Sequence, residues 1–298
     1  MSPARRQILR DRIAMSHANR VVAFQGAHGA YSEQACREKL PGYQSRPYKT
    51  FEDIFIAVEQ GDAELGMLPV ENSMAGVVSD SYDLLAVHNL HIIGEYYLPV
   101  RHCLMAHQGV NVERIHTVYS HPQALAQCHS FIKRHGWNRV AVYDTAGAAA
   151  ALKEEHREGE AAIASALAAE LYGLDLLAEQ IQDSANNTTR FLIIAKDGII
   201  PMPNVGCKIS LLFEVRHIPA ALYKCLGGFA TNGINLTRLE SRPVAGRDWS
   251  YHFYLDFQGR MDQVNVQQAL EELKFYTHNM KVLGCYPESL RPESQGAL

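Results

Sequence analysis

From Arg20 to about Lys196 the chain alternates short apolar or β-branched runs with segments whose apolar residues recur at helical spacing, a rhythm that restricts it to α/β architecture. Val21 to Phe24 is a strand candidate that enters a glycine turn and then a helix from about Ser32 to Leu40. Phe51, Ile54, Phe55 and Val58 predict a helix over 51–60, with a strand at 65–70 behind it. Strand and helix pairs are predicted at 115–119 with 122–134, 140–143 with 146–155, and 161–164 with 166–171; a strand at 191–195 closes the series. Asp197 to Gly206 holds two prolines and two glycines without periodicity and reads as a linker. Beyond it the order becomes strand (208–215), helix (219–231), strands (234–241 and 250–257), helix (262–277) and strand (280–286). That is the βαββαβ order of a ferredoxin-like split unit, a second domain.

Composition narrows the partners. A chain of 298 residues suits about two domains of ordinary size, and 47% hydrophobic with 20% charged residues is a globular balance. The net charge of −4 shows no basic excess, so nothing signals nucleic acid. Cys36, Cys103, Cys128, Cys207, Cys225 and Cys285 are never closer than 18 positions, which removes any CxxC motif and reads as reduced thiols in a cytoplasmic protein. Residues 1–19 carry no apolar run of signal-peptide type and read as a lead-in. The stretch 161–178 is broken by Glu170, Gly173 and Asp175 and is no membrane span.

Polar clusters sit where the predicted strands end, the usual ligand positions in such sheets. Gln25 to Ser32 (QGAHGAYS) runs through a glycine turn into a helix start whose free N–H groups suit an anion. It lacks the GxGxxG of dinucleotide sites, and Ser32 reads equally as the helix N-cap. Glu71, Asn72 and Ser73 offer a carboxylate, an amide and a hydroxyl in succession, for a polar ligand or for capping a helix from Val77 onward. In Ser120 to Cys128 (SHPQALAQC), Ser120 reads as N-cap or ligand group, and Gln127 as a solvated or inner-face residue. Asp183 to Phe191 (DSANNTTRF) delivers a threonine and Arg190 into an apolar strand, where a guanidinium fork would match a carboxylate. No GxSxG elbow, HExxH or P-loop occurs, and no histidine lies with other ligands at zinc spacing, so no metal is expected. These residues describe a cleft of neutral donors plus one arginine, suited to a small acid without cofactor.

Together, QGAxGAYSE, PVENS, SHPQALxQC, DTAxAA (Asp144 to Ala149) and NxTRF, in this order, resemble the prephenate dehydratase family, and the C-terminal part resembles the ACT regulatory domain often attached to it. The resemblance covers roughly residues 20–287. It implies a catalytic region over 20–197 with two lobes like those of periplasmic binding proteins, an ACT domain over 206–287 and a tail at 288–298. The implied reaction converts prephenate to phenylpyruvate, water and CO2 without cofactor. Thr189 matches the family's essential threonine, and Asn72, Ser120 and Gln127 match positions around the substrate. Glu71, Ser73, Arg190 and Phe191 are implied substrate contacts, Arg190 through a carboxylate. Phenylalanine feedback is implied at Ala220, Ala221, Leu222, Asn235, Leu236, Glu240 and Ser241, between paired domains of a homodimer or homotetramer. Pro219 to Tyr223 departs from the family's helix start, with Ala220 in place of glycine. Alternatives are arogenate dehydratase, with the same chemistry, a non-catalytic amino-acid sensor, and a nicotinamide dehydrogenase resting on the glycine turn. The leading residues are too few for a helical chorismate mutase domain.

Overall fold

Val21, Val22, Ala23 and Phe24 are buried on both faces of the chain, the expected fate of a continuous apolar strand in a parallel sheet. In the computed structural model, which describes residues 20–155, 158–244 and 250–290, this strand, β1 (Val21–Gln25), pairs in parallel with β2 (Gln44–Tyr48) and β3 (Leu65–Asn72). The lead-in and residues 291–298 of the tail lie outside the described residues.

Helix α1 (Tyr31–Lys39) follows β1, and α2 (Phe51–Gln60) follows β2. The latter starts at a capping box, Thr50 with Asp53, and ends on Gly61 in the left-handed conformation. A short strand β4 (Gly76–Val77) folds back on β3, then come α3 (Ser79–Val87) and β5 (His91–Pro99). The chain crosses to a second sheet built from β6 (Cys103–Ala106), β7 (Thr117–Ser120), α4 (Pro122–Gln127), α5 (His129–His135), β8 (Asn138–Ala141), α6 (Thr145–Glu155), β9 (Glu160–Ala164), α7 (Ala166–Tyr172) and β10 (Asp175–Ala178). It returns as β11 (Thr188–Ala195), which lies between β3 and β5. The orders are β2-β1-β3-β11-β5 and β10-β6-β9-β7-β8. Two α/β lobes joined by two crossings form the architecture of periplasmic binding proteins.

The lobes touch at Gly29. Its φ is +86°, and a Cβ there would stand 2.7 Å from the Cα of Ala168, so both conformation and contact require glycine. Ser165 Oγ donates to the Gly29 carbonyl at 2.6 Å, and the Tyr172 hydroxyl donates to the His28 carbonyl at 2.9 Å.

The third sheet comprises β12 (Cys207–Val215), α8 (Ala221–Thr231), β13 (Leu236–Pro243), β14 (Tyr251–Gln258), α9 (Val264–Tyr276) and β15 (Thr277–Pro287). Its order, β13-β14-β12-β15, with antiparallel neighbours, is the ferredoxin-like arrangement. Ile209, Leu211 and Phe213 of β12 pack with Phe229, Phe257 and Leu273 in its core. Contacts divide the described chain into two compact units, residues 20–84 with 96–191, and residues 85–95 with 192–290. No helix among the described residues is long and apolar enough to cross a membrane.

Several expectations need correction. The predicted helix over 122–134 is broken at Cys128, whose φ of −110° and ψ of 21° end α4. Ser32 is not an N-cap: α1 begins at Tyr31, and Ala30 precedes it without a side-chain cap. His121, not Ser120, caps α4. Strands β2, β5, β6 and β10 escape the sequence reading; three of them are sheet edges, paired on one side only.

In the second unit, Lys208 Nζ on β12 meets Glu95 Oε1 on β5 at 2.7 Å, with the side chains 2% and 0% exposed. The Ser289 N–H also donates to Glu95 Oε1 at 3.1 Å, and a Glu288 carboxylate oxygen stands 3.8 Å from the ammonium. Removing one partner strands a buried charge, whereas replacing both with apolar groups does not. Glu95→Ala is therefore expected to cost about 3–5 kcal/mol in urea unfolding. The double variant Glu95→Leu with Lys208→Met recovers most of that loss.

Candidate active site

In a parallel sheet the C-terminal strand ends deliver their loops to one edge, and here those of β1, β3 and β7 converge with the start of β11 on one cleft. The cleft holds about 240 Å³; Gln25, Ser32, Asn72, His102, Gln127 and Thr189 belong to its polar lining, which also includes the carboxylate of Asp144. Pro69, Val78, Val100, Ala124 and Phe191 supply apolar surface. Among the described residues the lining has no lysine or arginine. No group of three or more His, Cys, Asp or Glu that could hold a metal ion occurs among them either.

One hydrogen-bonded chain crosses the cleft floor. Asn72 Oδ1 accepts the N–H groups of Met74 and Ala75 at 3.0 and 2.9 Å, which fixes the orientation of its amide. Asn72 Nδ2 therefore donates, to Thr189 Oγ1 at 2.9 Å and to Asn187 Oδ1 at 2.8 Å. Asn187 Nδ2 donates to Gln127 Oε1 at 2.9 Å, and the same oxygen lies 2.8 Å from His102 Nε2. An oxygen that already accepts one bond assigns the imidazole hydrogen to Nε2, leaving His102 Nδ1 to accept from the Tyr31 hydroxyl at 2.8 Å. Burial holds His102 below the ordinary histidine range and pushes the Tyr31 phenol well above its usual value, so both stay neutral near pH 7.

Of the residues expected from sequence, Thr189, Asn72, Gln127 and Phe191 line the cleft. Thr188 does not; its N–H donates to Ser73 Oγ at 3.0 Å. Four expected residues lie outside the lining. Arg190 falls between Thr189 and Phe191 on β11, so alternation turns it to the opposite face, where it is 4% exposed. Glu71 is likewise turned away from Asn72 by alternation and pairs with Val77 in the β3–β4 hairpin. Ser73 Oγ donates to the Asn186 carbonyl at 2.6 Å and holds the loop that leads to Thr189. Ser120 is wholly buried, and its hydroxyl donates to the Ile163 carbonyl at 2.6 Å, joining β7 to β9. Both serines position the site without facing it.

Tyr31, His102 and Asn187 were missed. Tyr31 and Asn187 stand inside the sequence motifs, where only their separation along the chain hid the partnership. His102 follows β5 in a segment with no motif. In the third sheet, Ala220, Ala221 and Leu222 occupy the start of α8, and Asn235, Leu236, Glu240 and Ser241 lie at and along the edge strand β13. Asn235 Nδ2 donates to Gln258 Oε1 at 2.9 Å.

Residues 22–199 match the family model described as prephenate dehydratase. The chain belongs to the prephenate dehydratase family. It is 44% identical to the Arabidopsis thaliana arogenate dehydratase/prephenate dehydratase 2, over 92% of this chain and 74% of that one. It is 42% identical to a bifunctional N-acyl-homoserine lactone acylase/prephenate dehydratase of Komagataeibacter europaeus, over 92% of this chain and 98% of the relative. The solved prephenate dehydratase of Arthrobacter aurescens, in complex with L-Phe, superposes with a TM-score of 0.83 at 32% identity, covering 90% of each chain.

For this family's chemistry, Asn187 links the amide that addresses Thr189 to Gln127. Asn187→Ala is expected to lower kcat for phenylpyruvate formation about 100-fold with little change in KM, because small misplacements at the reacting atoms cost that much. Initial-rate kinetics on a variant with an unaltered circular dichroism spectrum check this.

Proposed function

We propose that this chain is a lyase that dehydrates and decarboxylates prephenate to phenylpyruvate in L-phenylalanine biosynthesis, with Thr189 as the donor to the leaving hydroxyl. The observation that carries this reading is the direction of one hydrogen bond. Because Asn72 Nδ2 donates to Thr189 Oγ1, the hydroxyl's own hydrogen is free for a group in the cleft, and among the described residues it meets no acceptor. The ring carboxylate leaves as CO2, its bonding pair enters the ring, and the ring hydroxyl departs with one added proton as water. Aromatisation supplies the driving force, and no electron is transferred to an outside acceptor, so the step calls for no redox cofactor. A threonine hydroxyl is a weak acid, so it shares its hydrogen with the departing oxygen as the C–O bond breaks, and solvent supplies the net proton. Gln127 Nε2, left over once its oxygen accepts twice, adds a fixed donor where charge develops. The ring carboxylate meets Ser32 and the uncapped first turn of α1, whose N–H groups favour anions.

Residues 20–197 form the proposed catalytic region and 206–287 an ACT regulatory domain, flanked by 1–19 and 288–298. Phenylalanine binding at Ala220 to Leu222, Asn235, Leu236, Glu240 and Ser241, in a cytoplasmic homodimer or homotetramer, would inhibit by favouring one of two states of the chain. The relative solved with L-Phe supports a phenylalanine effector.

Thr189→Ala is expected to lose about 10³-fold in kcat for phenylpyruvate formation with the fold intact, while Thr189→Ser keeps part of it. Unchanged turnover in the alanine variant rejects the assignment. Ala220 has a φ of 56°, a left-handed conformation that disfavours a Cβ. Ala220→Gly is thus expected to raise unfolding free energy by up to about 1 kcal/mol in urea titrations and to lower the phenylalanine concentration for half-inhibition. Activity indifferent to millimolar phenylalanine removes the feedback assignment.

A further inference from the structure

The third sheet holds a piece of chain that is not its own. Residues 85–95, which run from the last turn of α3 into β5, form one compact unit with residues 192–290. Three attachments account for this. Lys281 on β15 donates from Nζ to the Leu85 carbonyl at 3.1 Å and to the His88 carbonyl, both at the C-terminal end of α3, where helix carbonyls lack partners along the chain. A Cβ at Gly284 would stand 2.0 Å from the Ile92 carbonyl oxygen, so β15 touches the backbone of β5 at a point where only glycine fits. At the far end of the segment, Lys208 on β12 forms its buried ion pair with Glu95 on β5.

Each end of the segment leads to one member of the Asn72–Thr189 pair. Upstream, α3 starts beside β3: the Ser81 hydroxyl donates to the Pro69 carbonyl at 2.8 Å, and the Val78 N–H donates to the Val70 carbonyl at 3.0 Å. The turn just before Val78 carries Met74 and Ala75, whose N–H groups fix Asn72. Downstream, β5 is the sheet neighbour of β11, the strand that carries Thr189. A Cβ at Gly94 would stand 3.3 Å from Ile193 Cδ1, so these two strands are closely packed. Close-packed helices and paired strands pass on a displacement rather than absorb it. Lys281, Lys208 and Glu95 themselves stand outside the cleft lining among the described residues.

We propose that residues 85–95 are the arm through which the third sheet acts on the active site, with Lys281 at α3 and the Lys208–Glu95 pair at β5 as its two grips. This rests on the reading of residues 206–287 as a phenylalanine-responsive domain and adds the route by which the response reaches Thr189. A single grip would let the segment pivot about it. Grips at both ends carry α3 and β5 along with the sheet, and with them the turn that orients Asn72 and the strand that holds Thr189. An effector that binds one state of the sheet more tightly than another then shifts the geometry of the Asn72–Thr189 hydrogen bond without touching the cleft. Lys281, Lys208 and Glu95 are thus positioning residues for regulation, and their loss leaves the chemistry in place.

The test compares the full chain with Lys281→Met, which keeps the aliphatic stem and loses the donor, and with the double variant Glu95→Leu with Lys208→Met, which leaves no buried charge unpaired. Without phenylalanine, kcat and KM are expected to stay within about 3-fold of wild type, and the phenylalanine concentration for half-inhibition to rise at least about 10-fold in each variant. Calorimetry is expected to show that phenylalanine still binds both variants. Hydrogen exchange at the Met74 and Ala75 N–H groups responds to phenylalanine in the wild-type chain and not in the variants. Wild-type inhibition in both variants overturns the route, and so does loss of phenylalanine binding together with the inhibition, since these residues would then only support the effector site. A wild-type chain that is inactive, or active and indifferent to phenylalanine, refutes the underlying reading and the arm with it, an outcome visible before any variant is made.

Discussion

The two backbone N–H groups of Met74 and Ala75 that close on Asn72 Oδ1 set the polarity of everything else in the cleft. An amide can turn over and exchange its donor for its acceptor. With its oxygen held twice, Asn72 cannot, and each later bond inherits a direction: Asn187 accepts from Asn72 and donates to Gln127, and Gln127 accepts again from His102. Primary amides are poor carriers of a moving proton, so this chain is an orienting frame and no proton wire. What it leaves uncommitted, on two residues that line the cleft, are the hydroxyl hydrogen of Thr189 and the two amide hydrogens of Gln127. Tyr31 closes the far end by donating to His102, and the burial that keeps both groups neutral prevents the polarity from reversing near neutral pH.

Among the described residues the lining has no lysine or arginine, which fits the chemistry of the step. A carboxylate lost as CO2 gives up its charge in the transition state. A tight ion pair would therefore hold the reactant more strongly than the transition state and slow the loss. Neutral donors and helix N–H groups bind an anion with less of that penalty, and they remain useful to the hydroxide that develops as the C–O bond breaks. Arg190 answers a different demand, since its place on β11 turns it from the cleft while its neighbours Thr189 and Phe191 face in.

Central elements of the fold were legible because burial on both faces or along one helix stripe leaves a periodic record. The helix over 51–60 agrees with its observed span to the residue, and the βαββαβ order of the third sheet is as read. Edge strands left little record. The Gln44–Tyr48 segment, QSRPY, is polar and contains proline, tolerated because it pairs with β1 alone. The break at Cys128 was equally silent, since nothing in the apolar spacing of 122–134 distinguishes one helix from two.

The sequence by itself determined the lobed α/β class, the family, and the identity of the groups at the strand ends, because these depend on local periodicity and on motifs carried in order. It named Thr189, Asn72 and Gln127, and it left Thr188 and Thr189 apart only by register. Only the tertiary structure decided which members of each motif face inward. It turned Arg190 and Glu71 away, committed Ser73 and Ser120 to backbone carbonyls, and joined Tyr31, His102 and Asn187 across 71 and 60 positions of chain to one another's partners. The reason is physical: the direction of a side chain follows from strand alternation and from the polarity of hydrogen bonds between residues distant in sequence, and neither is written in the spacing of the motifs themselves.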